Sequence, residues 1–270
     1  GTYFGNKFPV FEPAEEFRTW QVGPYRAIDA VGYHELLATR WHNQGEVNMS
    51  IADVALQVEA LVLRYRELKS HPAVNYIQIF KNYGEQAGAS QEHPHLQILT
   101  TPILPEDVQD MLWGAERYAA EHNKEVFADV IDFEQRDGSR IVFANDHFIA
   151  FCPYASRVPF EVKIVPLKPQ PYFDNIGPDL RLAVAEVLQQ VLRRLKKVLR
   201  DPDYNYMINS APCDDTGFIC DSKVFQHWRW HIDVMPRLSK FGGFELATAL
   251  EINPTLPEQA AQFLREAKIK

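Results

Sequence analysis

The chain contains 270 residues, of which 46% are hydrophobic and 24% are charged, a composition that is typical of soluble globular proteins and excludes disordered, fibrous and low-complexity classes. At roughly 150 residues per domain, the length predicts about two structural units. The net charge of −8 means that the surface as a whole repels phosphate backbones and anionic lipids, so neither nucleic acid nor a membrane is expected as a partner.

The sequence also bears on the compartment and on the redox state of the thiols. No apolar run reaches the roughly 18 to 20 residues of a membrane-spanning helix, and the first residues lack the charged-then-apolar order of a signal peptide. We therefore expect a cytoplasmic protein. The cysteines Cys152, Cys213 and Cys220 are odd in number and show no Cys-x-x-Cys spacing, which argues against a disulfide framework. Cys152 ends an apolar stretch and is interpreted as a core thiol rather than a catalytic one.

The first half opens with an extended segment at 25–40 and continues with a helix. Ser50 and Asp53 form a capping-box pattern. Apolar residues then recur at three- and four-residue spacing, which predicts an amphipathic helix with one buried stripe: Ile51, Val54, Ala55, Val58, Leu61, Val62, Tyr65 and Leu68. Within 25–40, His34 and Glu35 are either an acid/base pair or structural residues. The structural interpretation is favoured because Glu35 aligns with Glu161 in the second half.

The segment that follows, 82–97, carries the residues suited to chemistry. If 93–99 is a strand, alternation places His93, His95 and Gln97 on one face, with Pro94, Leu96 and Ile98 on the other. The approach to this strand contains three residues small enough for backbone N–H groups to come close to a bound anion such as a phosphate: Gly84, Gly88 and Ser90.

A histidine on a rigid strand beside such a loop indicates nucleophilic attack on phosphorus. Neutral imidazole is a good nucleophile near pH 7 and leaves again readily. Gln97 supplies an uncharged donor for a non-bridging oxygen, which a carboxylate would repel. The alternative, two histidines with structural roles, would suit an isolated His-x-His better than this combination of loop, histidine pair and glutamine.

A connector and a repeat complete the chain. Residues 105–138 are expected to be helical and then loop-like. After an extended segment at 148–166 and Pro178, a second amphipathic helix is predicted from Leu180, Val184, Val187, Leu188, Val191, Leu195 and Val198. Its stripe repeats that of the first helix 130 residues later, and the same offset relates Asn75-Tyr76 to Asn205-Tyr206.

The repeat favours an α+β fold of two halves, each an antiparallel sheet with one long amphipathic helix, because the strands cluster around a helix without strict βαβα alternation. The predicted organisation is an N-terminal half at 1–110, a connector at 111–140 and a C-terminal half at 141–270.

The motif Asn82-x-Gly84-x3-Gly88-Ala-Ser90-x2-His93-Pro-His95-x-Gln97 resembles the active-site signature of the galactose-1-phosphate uridylyltransferase branch of the histidine-triad superfamily. That branch includes ADP-glucose phosphorylase-like and diadenosine-tetraphosphate phosphorylase-like relatives. The resemblance extends to Asn6-Lys-Phe-Pro9 and to the segments 237–245 and 252–254. It implies two tandem histidine-triad-like halves, an enzyme of galactose and carbohydrate metabolism, and a homodimer.

By this resemblance, His95 is the nucleophile that forms a covalent nucleotidyl-histidine, and Gln97 holds the α-phosphoryl group. The resemblance further implies two sets of binding residues. Those lining the nucleotide phosphates are Asn82, Gly88, Ala89 and Ser90, and those touching the nucleotide sugar are Asn6, Gly242, Gly243, Phe244 and Glu245.

In the second half, Arg229 and His231 stand at the positions of His95 and Gln97, so we expect only the first half to be catalytic. The expected reaction is the two-step exchange of UDP-hexose with a hexose 1-phosphate. Alternatives that stay open are an ADP-glucose or diadenosine-polyphosphate phosphorylase with phosphate as acceptor, which Leu96 resembles more closely, and a nucleotide-sugar binding protein without turnover.

The resemblance also implies a structural zinc ion, with His42 and His93 as two of its ligands. The family's upstream Cys-x-x-Cys pair has no counterpart, because no cysteine precedes Cys152. Either the pair belongs to an upstream segment outside this sequence, or the metal is lost or completed differently. No redox cofactor is expected.

Overall fold

The computed structural model of the chain describes residues 2–213, 222–240 and 242–269; Cys220 lies outside these ranges. The strands are β1 (Thr2–Gly5), β2 (Thr19–Val22), β3 (Tyr25–Ile28), β4 (His34–Ala38), β5 (Tyr76–Tyr83), β6 (His95–Thr101), β7 (Ile141–Ala144), β8 (Phe148–Phe151), β9 (Val162–Pro166), β10 (Tyr204–Asn209) and β11 (His231–Pro236). The helices are α1 (Ile51–Lys69), α2 (Glu106–His122), α3 (Val126–Asp137), α4 (Pro178–Leu199), α5 (Gly243–Thr248) and α6 (Pro257–Glu266). Short 3₁₀ turns lie at Glu85–Ala87, Phe173–Asn175 and Ser222–His227.

In the described part of the chain, nine strands form one antiparallel sheet in the order β1-β4-β6-β5-β10-β11-β9-β8-β7, while β2 and β3 form a separate hairpin. The strands before α2 and those after α3 meet at the central β5–β10 pair. In that pair Asn82 is directly opposite Asn205, and Ile79 is opposite Ile208. We call this pair the seam. The chain is thus an α+β protein, as predicted.

The two long helices pack together on one face of the sheet. α1 starts at Ser50, whose side chain accepts from the N–H of Asp53 at 3.1 Å, and α4 starts at Pro178, as the capping signals predicted. Their apolar stripes and the inward residues of the sheet form the main core, which includes Val62, Ile98, Val191 and Ile232. Burial of this apolar surface is the main force that holds both helices to the sheet.

The opposite face, which we call the open face, is only partly covered. α2 packs on it through Val108 and Leu112, in a cluster with Trp228. α3 covers it near β8 and β9 through Ile131 and Val165. The expectation that the later part of 105–138 is loop-like is wrong, because α3 is a regular helix whose apolar side contacts this sheet. The open face near β4 and β6 stays accessible.

The repeat is regular in the helices and slips in the strands. The buried residues of α1 recur 130 residues later in α4. Tyr206, however, belongs to the main core, whereas Tyr76 packs in the cluster on the open face. A one-residue shift moves a strand residue to the other face, so the offset of 130 predicted for Asn75-Tyr76 does not hold within the sheet.

None of the helices in the described ranges is long and apolar enough to cross a bilayer. Cys152 is fully buried in the main core, where desolvation raises the pKa of its thiol. This environment agrees with a core thiol.

Candidate functional site

The centre of the candidate site is strand β6. Leu96 and Ile98 are buried against the long helices, while His95 and Gln97 are half-buried on the open face. His95 Nδ1 lies 2.8 Å from the carbonyl oxygen of His93. Because a carbonyl only accepts hydrogen bonds, Nδ1 carries the proton, and the unprotonated Nε2 of His95 keeps its lone pair for chemistry.

Gln97 is held from the neighbouring strand β4. Its Oε1 lies 2.9 Å from Nε2 of His34, which is buried on the same face. Glu35, the next residue along the strand, points to the opposite face, where it makes a bidentate ion pair with Arg64 of α1 at 2.5 and 2.7 Å. His34 and Glu35 are therefore not an acid/base pair. Nor is Glu161 the counterpart of Glu35: Glu35 is opposite Ile98, and the equivalent place on β9, opposite Ile232, is occupied by Ile164.

The loop before β6 is shaped by glycines and anchored by the second half of the chain. Gly84 and Gly88 have φ values of +85° and +80°, a region that favours glycine. A Cβ at Gly84 would overlap the carboxylate of Asp203, and Asp203 Oδ2 accepts from the N–H of Gln86 at 2.6 Å. The loop therefore sits directly on the start of β10.

Asn82, at the end of β5, is held by the same neighbour. Asn205 Nδ2 donates to Asn82 Oδ1 and to the carbonyl of Ala87, both at 2.8 Å, and Arg237 Nε donates to Asn205 Oδ1 at 2.5 Å. Sequence reasoning did not give Asp203 or Asn205 a role in the site. The signal that could have found Asn205 is its place in the repeat, but only with the strands paired across the seam.

A polar cleft of about 530 Å³ opens between this loop and the start of β10. Its lining includes Asn82, Ala89 and Ser90, three of the residues predicted to line the nucleotide phosphates, together with Asp201 and Asp203. The carboxylates disfavour an anion on their side of the cleft, so a phosphate would lie toward the Ala89 and Ser90 wall.

His93 and His95 have separate partners although they are two residues apart. His93 Nε2 is 2.9 Å from the carbonyl of Thr39, and its Nδ1 is 2.9 Å from Nδ1 of His42. The carbonyl fixes the proton on Nε2 and leaves Nδ1 of His93 unprotonated, which is the state of a metal ligand. Two imidazoles supply half of the four ligands of a structural zinc site. Among the described residues, no group of three or more His, Cys, Asp or Glu side chains is arranged to hold a metal.

The equivalent strand of the second half, β11, is built for structure. Arg229, at the place of His95, is buried; its guanidinium makes a bidentate pair with Glu125 and donates to the carbonyls of Pro166 and Leu167. These contacts leave it no role comparable to that of His95.

His231 has the same local bond as His95, from Nδ1 to the carbonyl two residues earlier, at 3.0 Å. It is fully buried, however, and this burial, with Lys163 next, lowers its pKa to about 4. Although burial alone would raise the pKa of the adjacent Asp233, Lys163 and then His231 hold it at about 2. The second half therefore contains a closed charged cluster rather than an accessible nucleophile.

The remaining predicted residues lie apart from β6 or at its edge. Asn6 Nδ2 reaches His34 Nε2 at 2.9 Å, so Asn6 adjoins Gln97. Gly242, Gly243, Phe244 and Glu245 begin α5, where Glu245 Oε2 caps the N–H of Gly242 at 3.0 Å. Phe244 is 52% exposed, and the described hydrogen bonds of this segment close within the helix.

Comparison with known proteins identifies the chain. The family model for the galactose-1-phosphate uridyl transferase N-terminal domain matches residues 39–105, and the model for the C-terminal domain matches 113–269. The chain is similar to ADP-glucose phosphorylase of Arabidopsis thaliana, with 29% identity over 98% of this chain and 73% of that protein. It is equally similar to galactose-1-phosphate uridylyltransferase of Thermotoga maritima, with 29% identity over 99% of this chain and 84% of that protein.

Solved structures agree with these matches. The crystal structure of an ADP-glucose phosphorylase from Arabidopsis thaliana with bound ADP-glucose superposes with a TM-score of 0.87 and 26% identity, covering 99% of this chain and 82% of that one. The fold and the matches define an enzyme of the nucleotidyltransferase class. More specifically, the chain belongs to the galactose-1-phosphate uridyl transferase family.

Proposed function

We propose that this enzyme moves a nucleotidyl group from a nucleoside diphosphate sugar to a phosphorylated acceptor through a covalent nucleotidyl-His95 intermediate. The observation that carries the proposal is the bond from His95 Nδ1 to the His93 carbonyl at 2.8 Å, since it directs the unprotonated Nε2 to the open face. The activity favoured is exchange between a UDP-hexose and a hexose 1-phosphate, in keeping with the Thermotoga maritima relative.

The reaction consists of two displacements at the same phosphorus. In the first, the Nε2 lone pair of His95 attacks the α-phosphorus, an N–P bond forms, and the bond from the α-phosphorus to the bridging oxygen breaks, so that sugar 1-phosphate leaves with the electron pair. In the second, a phosphate oxygen of the acceptor attacks the same phosphorus and His95 leaves. Splitting the transfer in this way makes the intermediate trappable.

The neighbouring residues assist without changing covalently. The N–H groups of Gln97 face the non-bridging oxygens, where negative charge is largest. Asn82, Gly88, Ala89 and Ser90 hold the nucleotide phosphates at the loop, and Asn6 with Gly242, Gly243, Phe244 and Glu245 contacts the nucleotide sugar. We assign catalysis to the N-terminal half, 1–110, and a supporting role to the C-terminal half, 141–270, with 111–140 as the connector.

A second candidate is an adenylyl-transferring phosphorylase with inorganic phosphate as acceptor. It is supported by the Arabidopsis thaliana relative, which is named for ADP-glucose phosphorylysis and matches this chain as well as the uridylyltransferase does. The first displacement is the same in both candidates, so the base and the acceptor distinguish them.

We further infer a homodimer. Large apolar side chains of the first 28 residues are exposed, and such a patch on a soluble protein marks a contact surface: Phe8 is 78% exposed, Tyr25 72%, Val10 61% and Val22 60%. For zinc, the proposal is limited to His42 and His93 as two ligands, and no step of the reaction uses the metal.

Intact-protein mass spectrometry tests the proposed function directly. The protein is mixed separately with UDP-glucose, UDP-galactose, ADP-glucose and diadenosine tetraphosphate, each beside the His95→Ala variant. A uridylyl or adenylyl mass increment that is absent from the variant is expected and also names the base. If no donor gives an increment although binding is measurable, the protein is a nucleotide-sugar binding protein and the proposal fails.

A further inference from the structure

We propose that His34 is a positioning residue that sets the orientation of the Gln97 carboxamide, so that Gln97 presents N–H groups and not its oxygen to the phosphoryl group. This inference rests on the proposed function, because it gives His34 a purpose only if Gln97 faces a transferring phosphoryl group. His34 does not itself touch the reacting atoms.

The proton on the His34 ring can be assigned from its partners. The backbone N–H of Val10 donates to His34 Nδ1 at 3.2 Å, so Nδ1 is the acceptor nitrogen. In the neutral ring the proton is then on Nε2, which donates to Gln97 Oε1 at 2.9 Å. With its oxygen engaged, the carboxamide of Gln97 turns its two N–H donors away from His34.

Asn6 reinforces the same arrangement. Its Oδ1 accepts from the N–H of Phe8 at 3.0 Å, which fixes the orientation of its own carboxamide. Its Nδ2 lies 2.9 Å from His34 Nε2. Because that nitrogen is protonated, Asn6 keeps its N–H hydrogens for another acceptor. Two carboxamides thus meet at one imidazole, and both have N–H donors available for an anionic ligand.

The orientation matters because a carboxamide can rotate by half a turn with little steric cost. The rotated form of Gln97 would place a partial negative charge against the phosphoryl oxygens, whose charge grows in the transition state. His34 disfavours that rotation, because its Nε2–H would then face the N–H groups of Gln97. At 8% exposure, the ring has little access to water that could replace this interaction.

The experiment is a double-mutant cycle between positions 34 and 97. The rate constant of nucleotidyl-His95 formation at saturating donor is measured for wild type, His34→Leu, Gln97→Leu and the double variant, with donor affinity measured in parallel. We expect His34→Leu to lower the rate constant about 10- to 100-fold, which is less than or comparable to the loss of one transition-state donor. The double variant is expected to be no slower than Gln97→Leu, because His34 acts through Gln97.

A conservative variant separates positioning from simple destabilisation. In His34→Gln, the side-chain amide nitrogen takes the place of Nε2–H, and we expect the rate constant to recover to within about 3-fold of wild type. Effects that multiply in the double variant, or a His34→Gln variant as slow as His34→Leu while both keep the wild-type melting temperature, would overturn the inference. Failure of the proposed function itself is recognised differently, because the wild-type protein would then form no adduct with any donor.

Discussion

Asn205 Nδ2 donates to Asn82 Oδ1 at 2.8 Å across the seam, and Arg237 holds the oxygen of Asn205 at 2.5 Å. The half of the chain without the nucleophile therefore orients a residue of the other half's loop. This relationship explains why β11 and the segment after it keep specific polar residues although the second half has no accessible nucleophile.

We expect Asn205→Ala to slow adduct formation about 10-fold, because one lost hydrogen bond of this kind costs about 1 to 1.5 kcal/mol and Asn82 and the Ala87 carbonyl lose their shared donor. The rate of the mass increment measures it. Asn209→Ala is the matched control: Asn209 is on the same strand and binds Asp233 at 2.9 Å, away from the loop. Equal slowing in both variants would contradict a specific effect on the loop.

Gly84→Ala is expected to abolish most of the activity, because the added Cβ would meet the Asp203 carboxylate and because φ is +85°. Gly138→Ala is the control, with a φ of +72° and no atom in the way. Left-handed backbone alone costs about 1 kcal/mol in stability, so the control should lose stability and keep its activity. Equal activities in the two variants would show that the contact with Asp203 is not important.

The buried His231 predicts a loss of stability in acid. Its pKa is lowered to about 4, chiefly by burial and then by Lys163 and, in part, Arg157. Between pH 6.5 and 4 the unfolded chain therefore binds a proton that the folded chain does not. The stability contributed by the neutral ring is complete above pH 6.5 and falls as the pH drops, by about 2 kcal/mol at pH 5.

Urea unfolding at pH 7.5 and pH 5.0 measures this effect. In His231→Asn, whose amide can replace the donor to the Arg229 carbonyl, the pH dependence between these values should shrink by about that amount. Asp233 has a pKa of about 2 and does not titrate in this window. Replacement of the exposed His147 by Asn is the control. An unchanged pH dependence in His231→Asn would show that His231 is not the responsible group.

Zinc content follows from the number of ligands. Because the described residues offer only His42 and His93, the purified protein is expected to hold less than about a tenth of an equivalent of zinc after dialysis. His42→Ala should form the adduct at the wild-type rate, since His42 contacts His93 and not His95. A full equivalent of zinc that disappears in His93→Ala would show that further ligands complete the site.

The features that could be predicted from the sequence are those with local patterns. The stripes of α1 and α4 follow from helical periodicity, and the alternation in β6 puts His95 and Gln97 on one face. The anchoring of the loop by Asp203 could not be predicted in this way, because it depends on which strands pair at the seam, across more than a hundred residues of sequence. The roles of His34 and Glu35 likewise depend on what each face of β4 meets: Gln97 on one side and Arg64 on the other.

The seam has an evolutionary consequence. If two identical copies of one half paired through the same strand, every substitution would appear on both sides of their junction, and a residue such as Asp203 could not replace a loop glycine in one copy alone. Joining the copies in a single chain after gene duplication removes that constraint. One copy can then keep the flexible glycines and the nucleophile while the other acquires Asp203, Asn205 and Arg237 to hold them, which is a division of labour that a symmetric pair cannot reach.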